Sequence, residues 1–177
     1  MTTADEFLMF QGCMIANRLP FLEKSARIVF EKLELKPKDA AFACCPDPIG
    51  IQGSDYTTWL SMGARNLTLA EQEGKNIVSL CNGCSQTLTV VNHELKHSAI
   101  KRKKINKILG EVGREFKGTI DVIHFLTYLL NEVGVDAIKA KITKPLTGLK
   151  VACHTGCHYT RPTEIMQTEE DVCKEVT

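Results

Sequence analysis

The residues best suited to chemistry are concentrated in one stretch, Leu80 to His97, which reads LCNGCSQTLTVVNHELKH. Cys81 and Cys84 form a C-x-x-C motif, whose thiolates bind a soft metal or act as a redox dithiol. His93, Glu94 and His97 form an H-E-x-x-H motif, which on a helix places two imidazoles beside a glutamate, as in zinc hydrolases. The two motifs predict different metals, and the rest of the chain has to decide between them.

The cysteine count is high for a chain of this kind: there are eight in 177 residues. The N-terminus, MTTADEFLMFQGC, has acidic residues where a secretory signal needs basic ones, so we expect a cytoplasmic protein. In a reducing compartment such a chain binds metal or does redox work rather than forming disulfides. The net charge of +1 gives no indication of a nucleic-acid or membrane-surface partner, and no apolar run approaches the ~18 residues of a membrane span.

The elements that must position these cysteines follow a βα alternation. Short apolar runs alternate with longer amphipathic ones, which predicts an α/β fold, a Rossmann-like parallel sheet with flanking helices. The predicted strands are residues 7–11, 40–43, 76–80 and 119–123, and the predicted helices are residues 18–35, 55–73, a segment after Cys84, and FLTYLLNEV.

Five cysteines follow the predicted strands: Cys13 the first, Cys44 and Cys45 the second, and Cys81 with Cys84 the third. The carboxyl ends of parallel strands share one edge of the sheet, where ligands collect. We therefore expect these five thiols to converge on one place, although a buried cysteine also serves as a small hydrophobe.

The number and local backbone of these cysteines favour iron over zinc. Pro46 and Pro48 bias the residues before them toward extended backbone, where successive side chains point to opposite sides. Adjacent thiolates are then better placed to reach different irons of a cluster than one small ion, and five thiolates exceed the four of a structural zinc site. The helix after Cys84 and the turn Gly50 to Gly53 would direct backbone N–H groups at such an anionic cluster.

The last part of the chain predicts a second, incomplete unit. The linker-like segment KAKITKPLTGLK leads into an apolar run, Leu149 to Ala152, which we expect to be a strand. The turn that follows contains Gly156-Cys157 and echoes Gly12-Cys13 after the first strand. We expect residues 1–147 to form a first domain and residues 148–177 to begin a second of the same kind.

The cysteine spacing, together with the phrases CNGCSQTL, VNHEL and GLKVACHTGCHYTRP, resembles the cysteine-rich CCG domain family and, within it, the catalytic B subunit of heterodisulfide reductase. The resemblance implies two CCG domains, each holding a noncubane [4Fe–4S] cluster through five cysteines. The first ligand set falls on Cys13, Cys44, Cys45, Cys81 and Cys84. Cys157 would open the second set, whose later members are absent, so we expect either a truncated product or a second polypeptide that supplies the rest.

The resemblance also implies a reaction and partners. The substrate would be the coenzyme M–coenzyme B disulfide (CoM-S-S-CoB) of anaerobic archaeal methanogenesis, reduced between the clusters in one-electron steps. Electrons would come through a ferredoxin-like C subunit and a flavoprotein A subunit, and this chain alone would be inactive. His158 would be the catalytic proton donor to a leaving thiolate, with His154 and Arg161 near the substrate. Cys153 and Cys173 have no place in the motif.

Several other hypotheses remain open. Related CCG domains act in other oxidoreductases, so the chain could be an electron-transfer subunit of one of those, or a non-catalytic half that docks an electron-transfer partner. A zinc hydrolase built on HELKH is less favoured, because Leu88, Val91 and Leu95 form the predicted core stripe and the histidines lie off it. A zinc finger from the two motifs has too short a spacer, and a thioredoxin-like dithiol leaves three cysteines unexplained. The basic run Lys101 to Lys104 indicates a solvated face rather than a nucleic-acid patch, since no aromatic residues interleave it.

Overall fold

The computed structural model describes residues 6–166, and its centre is a four-stranded parallel sheet. The strands are β1 (Glu6–Phe10), β2 (Lys36–Lys38), β3 (Ile77–Ser79) and β4 (Val122–His124). Their order across the sheet is β2-β1-β3-β4, and every neighbouring pair is parallel. The predicted α/β class is confirmed.

The strand order contains a switch point between β1 and β3. After β1 the chain crosses to β2 on one side, and it later returns to place β3 on the other side of β1. Connections diverge from such a point and leave a crevice outside the carboxyl ends of the two strands. Cys13 follows β1 and Cys81 follows β3, so both residues lie at this crevice.

Ten α-helices connect and flank the strands within the described residues. They are α1 (Cys13–Arg18), α2 (Pro20–Lys32), α3 (Gly50–Ser54), α4 (Tyr56–Glu73), α5 (Asn82–His97), α6 (Ala99–Gly110), α7 (Phe125–Tyr128), α8 (Val135–Lys141), α9 (Cys157–Thr160) and α10 (Thr163–Met166). A π-helix, Leu129–Val133, continues α7. None of the helices in residues 6–166 has the length and apolar character needed to cross a bilayer.

The sheet is buried on both faces, as a parallel sheet usually is. Along β1, Leu8 and Phe10 join a core with α4, α5 and α6, while Phe7 and Met9 join a second core with α2 and α7. This two-sided burial explains why β1 is a continuous apolar run rather than an alternating one.

Two predicted strands are wrong. The second strand is Lys36–Lys38 rather than residues 40–43, because Pro37 is tolerated on an edge strand and the Ala43 amide donates instead to the Asn66 side chain (2.9 Å). Residues 149–152 are exposed and form no strand. The GIQG segment, expected as a turn, begins α3, and the predictions did not include α6.

Candidate metal centre

Gly12 brings the end of β1 against the start of α5. It has a φ of 82° and a ψ of 147°, and the residue after it, Cys13, begins α1. A Cβ atom on Gly12 would lie 2.9 Å from the Cys84 sulfur and 3.2 Å from the Cys81 Cβ. Only glycine allows both this backbone conformation and this close approach.

Cys81 and Cys84 occupy the first turn of α5. Cys81 is the extended N-cap residue after β3, and its carbonyl accepts the Ser85 amide at 2.8 Å. The backbone N–H groups of Gly83 and Cys84 donate to the Cys81 sulfur, which lowers the pKa of this thiol. The C-x-x-C spacing thus places both sulfurs beside the positive end of a 16-residue helix.

Cys44 and Cys45 lie on an irregular loop that side chains of two helices hold in place. The buried Asn66 of α4 accepts from the Ala43 amide at 2.9 Å and donates to the Cys44 carbonyl at 3.0 Å. Thr87 of α5 donates to the Pro46 carbonyl at 3.0 Å. These hydrogen bonds take the place of the strand-to-strand backbone bonds that were predicted for residues 40–43.

The structure brings the five predicted cysteines together into one interacting group. Cys84 contacts the thiols of both Cys45 and Cys81, Cys45 contacts Cys44, and Cys44 lies within electrostatic range of Cys13. The group spans buried and exposed positions: Cys45 and Cys84 are buried, Cys81 is half-buried, and Cys13 and Cys44 are exposed.

The thiols shift one another's pKa values in opposite directions. Hydrogen bonding from the Cys84 thiol lowers the pKa of Cys81 to about 6, against the effect of burial. Hydrogen bonding to Cys45 and Cys81 raises the pKa of Cys84 above its ordinary value. Burial, together with the charges of Cys45 and Cys13, raises the pKa of Cys44 to about 11.

This arrangement fits a polynuclear cluster better than a single ion. Five neighbouring thiols cannot all lose their protons unless a positive centre neutralises the charges of the resulting thiolates. Across residues 6–166, no three His, Cys, Asp or Glu side chains are grouped so that they could hold one metal ion. Five thiols are one more than a structural zinc site uses, whereas the irons of a polynuclear centre can take thiolates at separate points.

The second Gly-Cys turn packs directly beside this group. Gly156 has φ 80° and ψ 142°, close to the values of Gly12, and Cys157 begins α9 as Cys13 begins α1. Asn82 donates to the Thr155 carbonyl at 3.2 Å, and Gln86 donates to the Arg161 carbonyl at 2.8 Å. Asn82 and Gln86 both lie near the N-terminus of α5. The Gly12-Cys13 and Gly156-Cys157 turns therefore pack against the same end of this helix.

The other predicted site residues differ from one another in burial and in hydrogen-bond partners. His158 is half-buried, its Nδ1 pairs with the Gln86 side-chain oxygen, and its charge reaches Cys81. Arg161 is exposed and its guanidinium donates to Thr163, while His154 is exposed as well. Cys153 and Cys157 are exposed, and Cys173 lies outside the described residues.

Sequence reasoning missed the residues that fasten the second turn to the sheet. The Tyr159 hydroxyl and Thr127 share a hydrogen bond of 2.8 Å, and the Tyr159 ring packs edge-on against His124 with centroids 4.6 Å apart. Burial lowers the pKa of His124 to about 4. Gln86 was also missed, because only the fold brings it to the second Gly-Cys turn. A glutamine in an amphipathic helix belongs to no sequence pattern that predicts such a contact.

The HELKH segment lies on α5 as predicted, but its side chains have other partners. The His93 and His97 rings lie against each other with centroids 4.1 Å apart, and His97 Nδ1 bonds the His93 carbonyl at 2.8 Å. Glu94 forms an ion pair with Lys101 of α6. Glu94 is therefore directed to a lysine rather than to a water beside the imidazoles.

The chain is similar to known cysteine-rich proteins. The CCG family model, described as a cysteine-rich domain, matches residues 7–89. Over 157 residues the chain is 40% identical to the B subunit of the ferredoxin/F420H2-dependent CoB-CoM heterodisulfide reductase of Methanosarcina acetivorans, covering 88% of this chain and 52% of that protein.

A relative with a different name matches over a similar length. The chain is 32% identical over 157 residues to the 8-methylmenaquinol:fumarate reductase membrane anchor subunit of Wolinella succinogenes, covering 89% of this chain and 54% of that protein. The chain spans about half the length of the curated relatives it matches.

A solved structure shares the fold. A hypothetical protein from Helicobacter pylori superimposes with a TM-score of 0.60 at 18% identity, over 68% of this chain and 24% of that one. At this identity the likeness supports the α/β architecture and nothing finer.

Proposed function

We propose that this chain, which carries a cysteine-rich domain of the CCG family at residues 7–89, is the iron–sulfur subunit of a heterodisulfide reductase. The observation that carries the proposal is the meeting of five thiols from three separate segments at the switch point of the sheet. Relatives named as the B subunit of such an enzyme support an iron–sulfur electron-transfer role.

The cofactor in this proposal is a noncubane [4Fe–4S] cluster. Cys13, Cys44, Cys45, Cys81 and Cys84 would hold it, and when bound it supplies electrons one at a time. The raised pKa values of Cys44 and Cys84 mean that these two thiols lose their protons as the positive centre binds. Assembly should therefore release protons and weaken as the pH falls.

The substrate in this proposal is the coenzyme M–coenzyme B disulfide. Splitting a disulfide takes two electrons and two protons, so one-electron delivery requires a residue that holds a proton near the sulfur. His158 is suited to this role, because Gln86 fixes one ring nitrogen and leaves the other to exchange a proton. Arg161 and His154, both exposed near the same turn, would contact the anionic groups of the substrate.

The rest of the enzyme would consist of a second CCG-like unit and two further subunits. A second CCG-like unit, of which residues 148–177 would be the start, would complete the ligand set that Cys157 opens. A ferredoxin-like C subunit and a flavoprotein A subunit would supply the electrons. In this view the chain alone binds a cluster without turning over substrate.

The direct test is metal analysis after anaerobic purification. The proposal predicts about four irons and about four sulfides per chain for one [4Fe–4S] cluster, with loss of both in Cys45→Ser and Cys84→Ser. Cys153→Ser is the matched control, since Cys153 is exposed and lies outside the thiol group. One zinc per chain without sulfide would contradict the proposal.

A second candidate keeps the cluster and changes the reaction. The relative named as a subunit of 8-methylmenaquinol:fumarate reductase favours an electron-transfer role in another oxidoreductase. Assembled with its copurifying subunits, the protein would then reduce fumarate and leave CoM-S-S-CoB intact. Assaying both acceptors with the same preparation separates the two candidates.

A zinc hydrolase is the remaining alternative. It requires Glu94 as the water-activating base, and the ion pair with Lys101 argues against that role. If Glu94→Gln abolished a hydrolytic activity that Cys81→Ser left intact, the hydrolase would replace the iron–sulfur proposal.

A further inference from the structure

Cys81 and Cys84 lie side by side but differ in their access to solvent. Cys81 is half-buried at the N-cap of α5, whereas Cys84, in the first turn, has only 3% of its surface exposed. Both sulfurs approach one point, because a Cβ atom on Gly12 would lie 2.9 Å from the Cys84 sulfur and 4.0 Å from the Cys81 sulfur. A small reagent can therefore reach the Cys81 thiol first, with the Cys84 thiol as its immediate neighbour.

The backbone of this pair suits a disulfide bond. The Cys81 carbonyl accepts the Ser85 amide at 2.8 Å, so helical spacing begins at Cys81. Residues three apart in a helix have Cα atoms about 5 Å apart, which lies within the range of about 4.4–6.8 Å that disulfides span. Cys81 and Cys84 can therefore be joined while α5 keeps its first turn.

Cys45 also contacts Cys84, but it is less suited to such a bond. Only 6% of its surface is exposed, so a reagent in solution has little access to it. Its loop is also fixed, since Thr87 of α5 donates to the carbonyl of the next residue, Pro46, at 3.0 Å. We therefore expect the bond to form within the C-x-x-C motif and not between the loop and α5.

We propose that Cys81 and Cys84 of the metal-free chain form a reversible disulfide by exchange with a low-molecular-weight disulfide, and that this bond blocks metal binding by the cysteine group. The block rests on the proposed function, in which both sulfurs are cluster ligands, whereas the exchange does not depend on it. Because both sulfurs would be bound to iron in the loaded protein, the exchange belongs to the metal-free chain.

The exchange takes place in two steps. The Cys81 thiolate attacks one sulfur of the small disulfide, whose S–S bond breaks and releases one small thiolate. The Cys84 thiolate then attacks the Cys81 sulfur of the mixed disulfide and expels the second small thiolate. Two protein thiols are thereby oxidised to one disulfide, and one small disulfide is reduced to two thiols, which take up the protons that Cys81 and Cys84 lose.

Peptide mapping of the wild-type chain tests the bond directly. The metal-free full chain is incubated with hydroxyethyl disulfide under anaerobic conditions, alkylated, and digested with trypsin without reduction. Trypsin leaves Cys81 and Cys84 together in residues 76–96, and Cys44 and Cys45 together in residues 39–65. We expect peptide 76–96 to carry an internal disulfide, and so to be lighter by two hydrogen atoms than the reduced peptide. A cross-link between the two peptides, or a fully alkylated peptide 76–96, would overturn the proposal.

Two variants separate the steps of the exchange. Cys84→Ser lacks the second thiol, so one half of the probe should stay attached to Cys81. In Cys81→Ser the buried Cys84 should take up the probe at least about tenfold more slowly than Cys81 does in Cys84→Ser. Cys153→Ser is the control and should form the internal bond at the wild-type rate, since Cys153 lies outside the thiol group. Equal uptake by the two single thiols would contradict the order of attack.

Binding of Co²⁺ measures the block, because this ion reports thiolate ligands by its absorption and needs no sulfide. The oxidised chain should show several-fold weaker thiolate-to-cobalt absorption than the reduced chain, and a phosphine reductant should restore it. Equal absorption in the oxidised and reduced chains would show that the disulfide does not block the site.

The exchange and the proposed function can fail separately. If the disulfide forms in peptide 76–96 but anaerobic purification yields no iron and sulfide, the proposed function is wrong and the exchange stands. If the cluster is present and peptide 76–96 of the metal-free chain stays reduced, the exchange alone is wrong.

Discussion

Gly12 and Cys84 lie so close that a Cβ atom on Gly12 would sit 2.9 Å from the Cys84 sulfur. The carboxyl end of β1 and the first turn of α5 therefore meet through a glycine that no larger residue can replace. The φ of 82° at Gly12 adds a second constraint, because side-chain-bearing residues rarely adopt it.

Gly12→Ala should disrupt the centre more than it disrupts the fold. The strained backbone and the displaced sulfur should together cost about 1–3 kcal/mol of unfolding free energy and lower iron and sulfide content several-fold. Thermal unfolding of the metal-free protein and metal analysis measure the two effects. Gly53→Ala is the matched control, since nothing lies within 4 Å of its Cβ position. Full iron content in Gly12→Ala would contradict the close approach.

Cys81 should be far more acidic than Cys44 in the metal-free protein. Its pKa is lowered from 9.0 to about 6, while that of Cys44 is raised to about 11. The thiolate is the reactive form, so alkylation of Cys81 should rise with pH through about 6 and that of Cys44 only above about pH 10. Mass-spectrometric mapping after brief iodoacetamide pulses across this pH range measures both.

In Cys84→Ser the Cys81 profile should move toward ordinary thiol values, because the Cys84 thiol is the largest cause of the shift. An unchanged Cys81 profile in that variant would show that the helix N-terminus, and not the neighbouring thiol, controls its acidity.

The sequence was sufficient to predict the convergence of five cysteines, because strand ends of a parallel sheet share an edge whatever their exact lengths. It was not sufficient to predict how Cys44 reaches that edge. Residues 40–43, predicted as a strand, form a loop. The Asn66 side chain, which is distant in sequence, makes the hydrogen bonds to this backbone that a neighbouring strand would have made. Tyr159 and Gln86 were missed because their roles depend on where the second turn packs, which no local pattern encodes.

Asn66→Ala should loosen the loop of Cys44 and Cys45. The variant leaves the Ala43 amide and the Cys44 carbonyl without their partners, which should lower the unfolding free energy by about 1–3 kcal/mol. Iron content should fall with it, because two of the five thiols lose their support. Denaturant unfolding and metal analysis give the two readings, with the exposed Asn131→Ala as control. A loss of stability with full iron content would limit Asn66 to a structural role.

Gln86→Ala should release the second Gly-Cys turn. Gln86 holds the Arg161 carbonyl at 2.8 Å and the His158 ring, so its removal leaves Asn82 and Tyr159 as the main anchors of residues 155–161. Amide hydrogen exchange should quicken at least about tenfold in residues 155–161 and stay constant in β1 and β3. Gln72→Ala, on α4 and away from the turn, should change neither region.

His124 should make the protein less stable in mild acid. The ring is buried, its Nδ1 accepts the Leu126 amide at 3.2 Å, and its Nε2 has no hydrogen-bond partner among the described residues. Burial lowers its pKa from 6.5 to about 4, so between these values the unfolded chain binds more protons than the folded one. The stability that the neutral ring contributes is therefore complete above about pH 6.5 and is lost as the pH falls through about 4, up to about 3 kcal/mol.

His124→Asn isolates this contribution, because asparagine can still accept the Leu126 amide at the start of α7 but does not titrate. Urea unfolding of the metal-free protein between about pH 4 and pH 7 should show a shallower loss of stability in His124→Asn than in wild type. His97→Asn is the control, since His97 is exposed on α5 and its ring does not have to lose a hydration shell on folding. Equal slopes in wild type and His124→Asn would mean that the ring has the same pKa in the folded and unfolded states, which its burial against Tyr159 opposes.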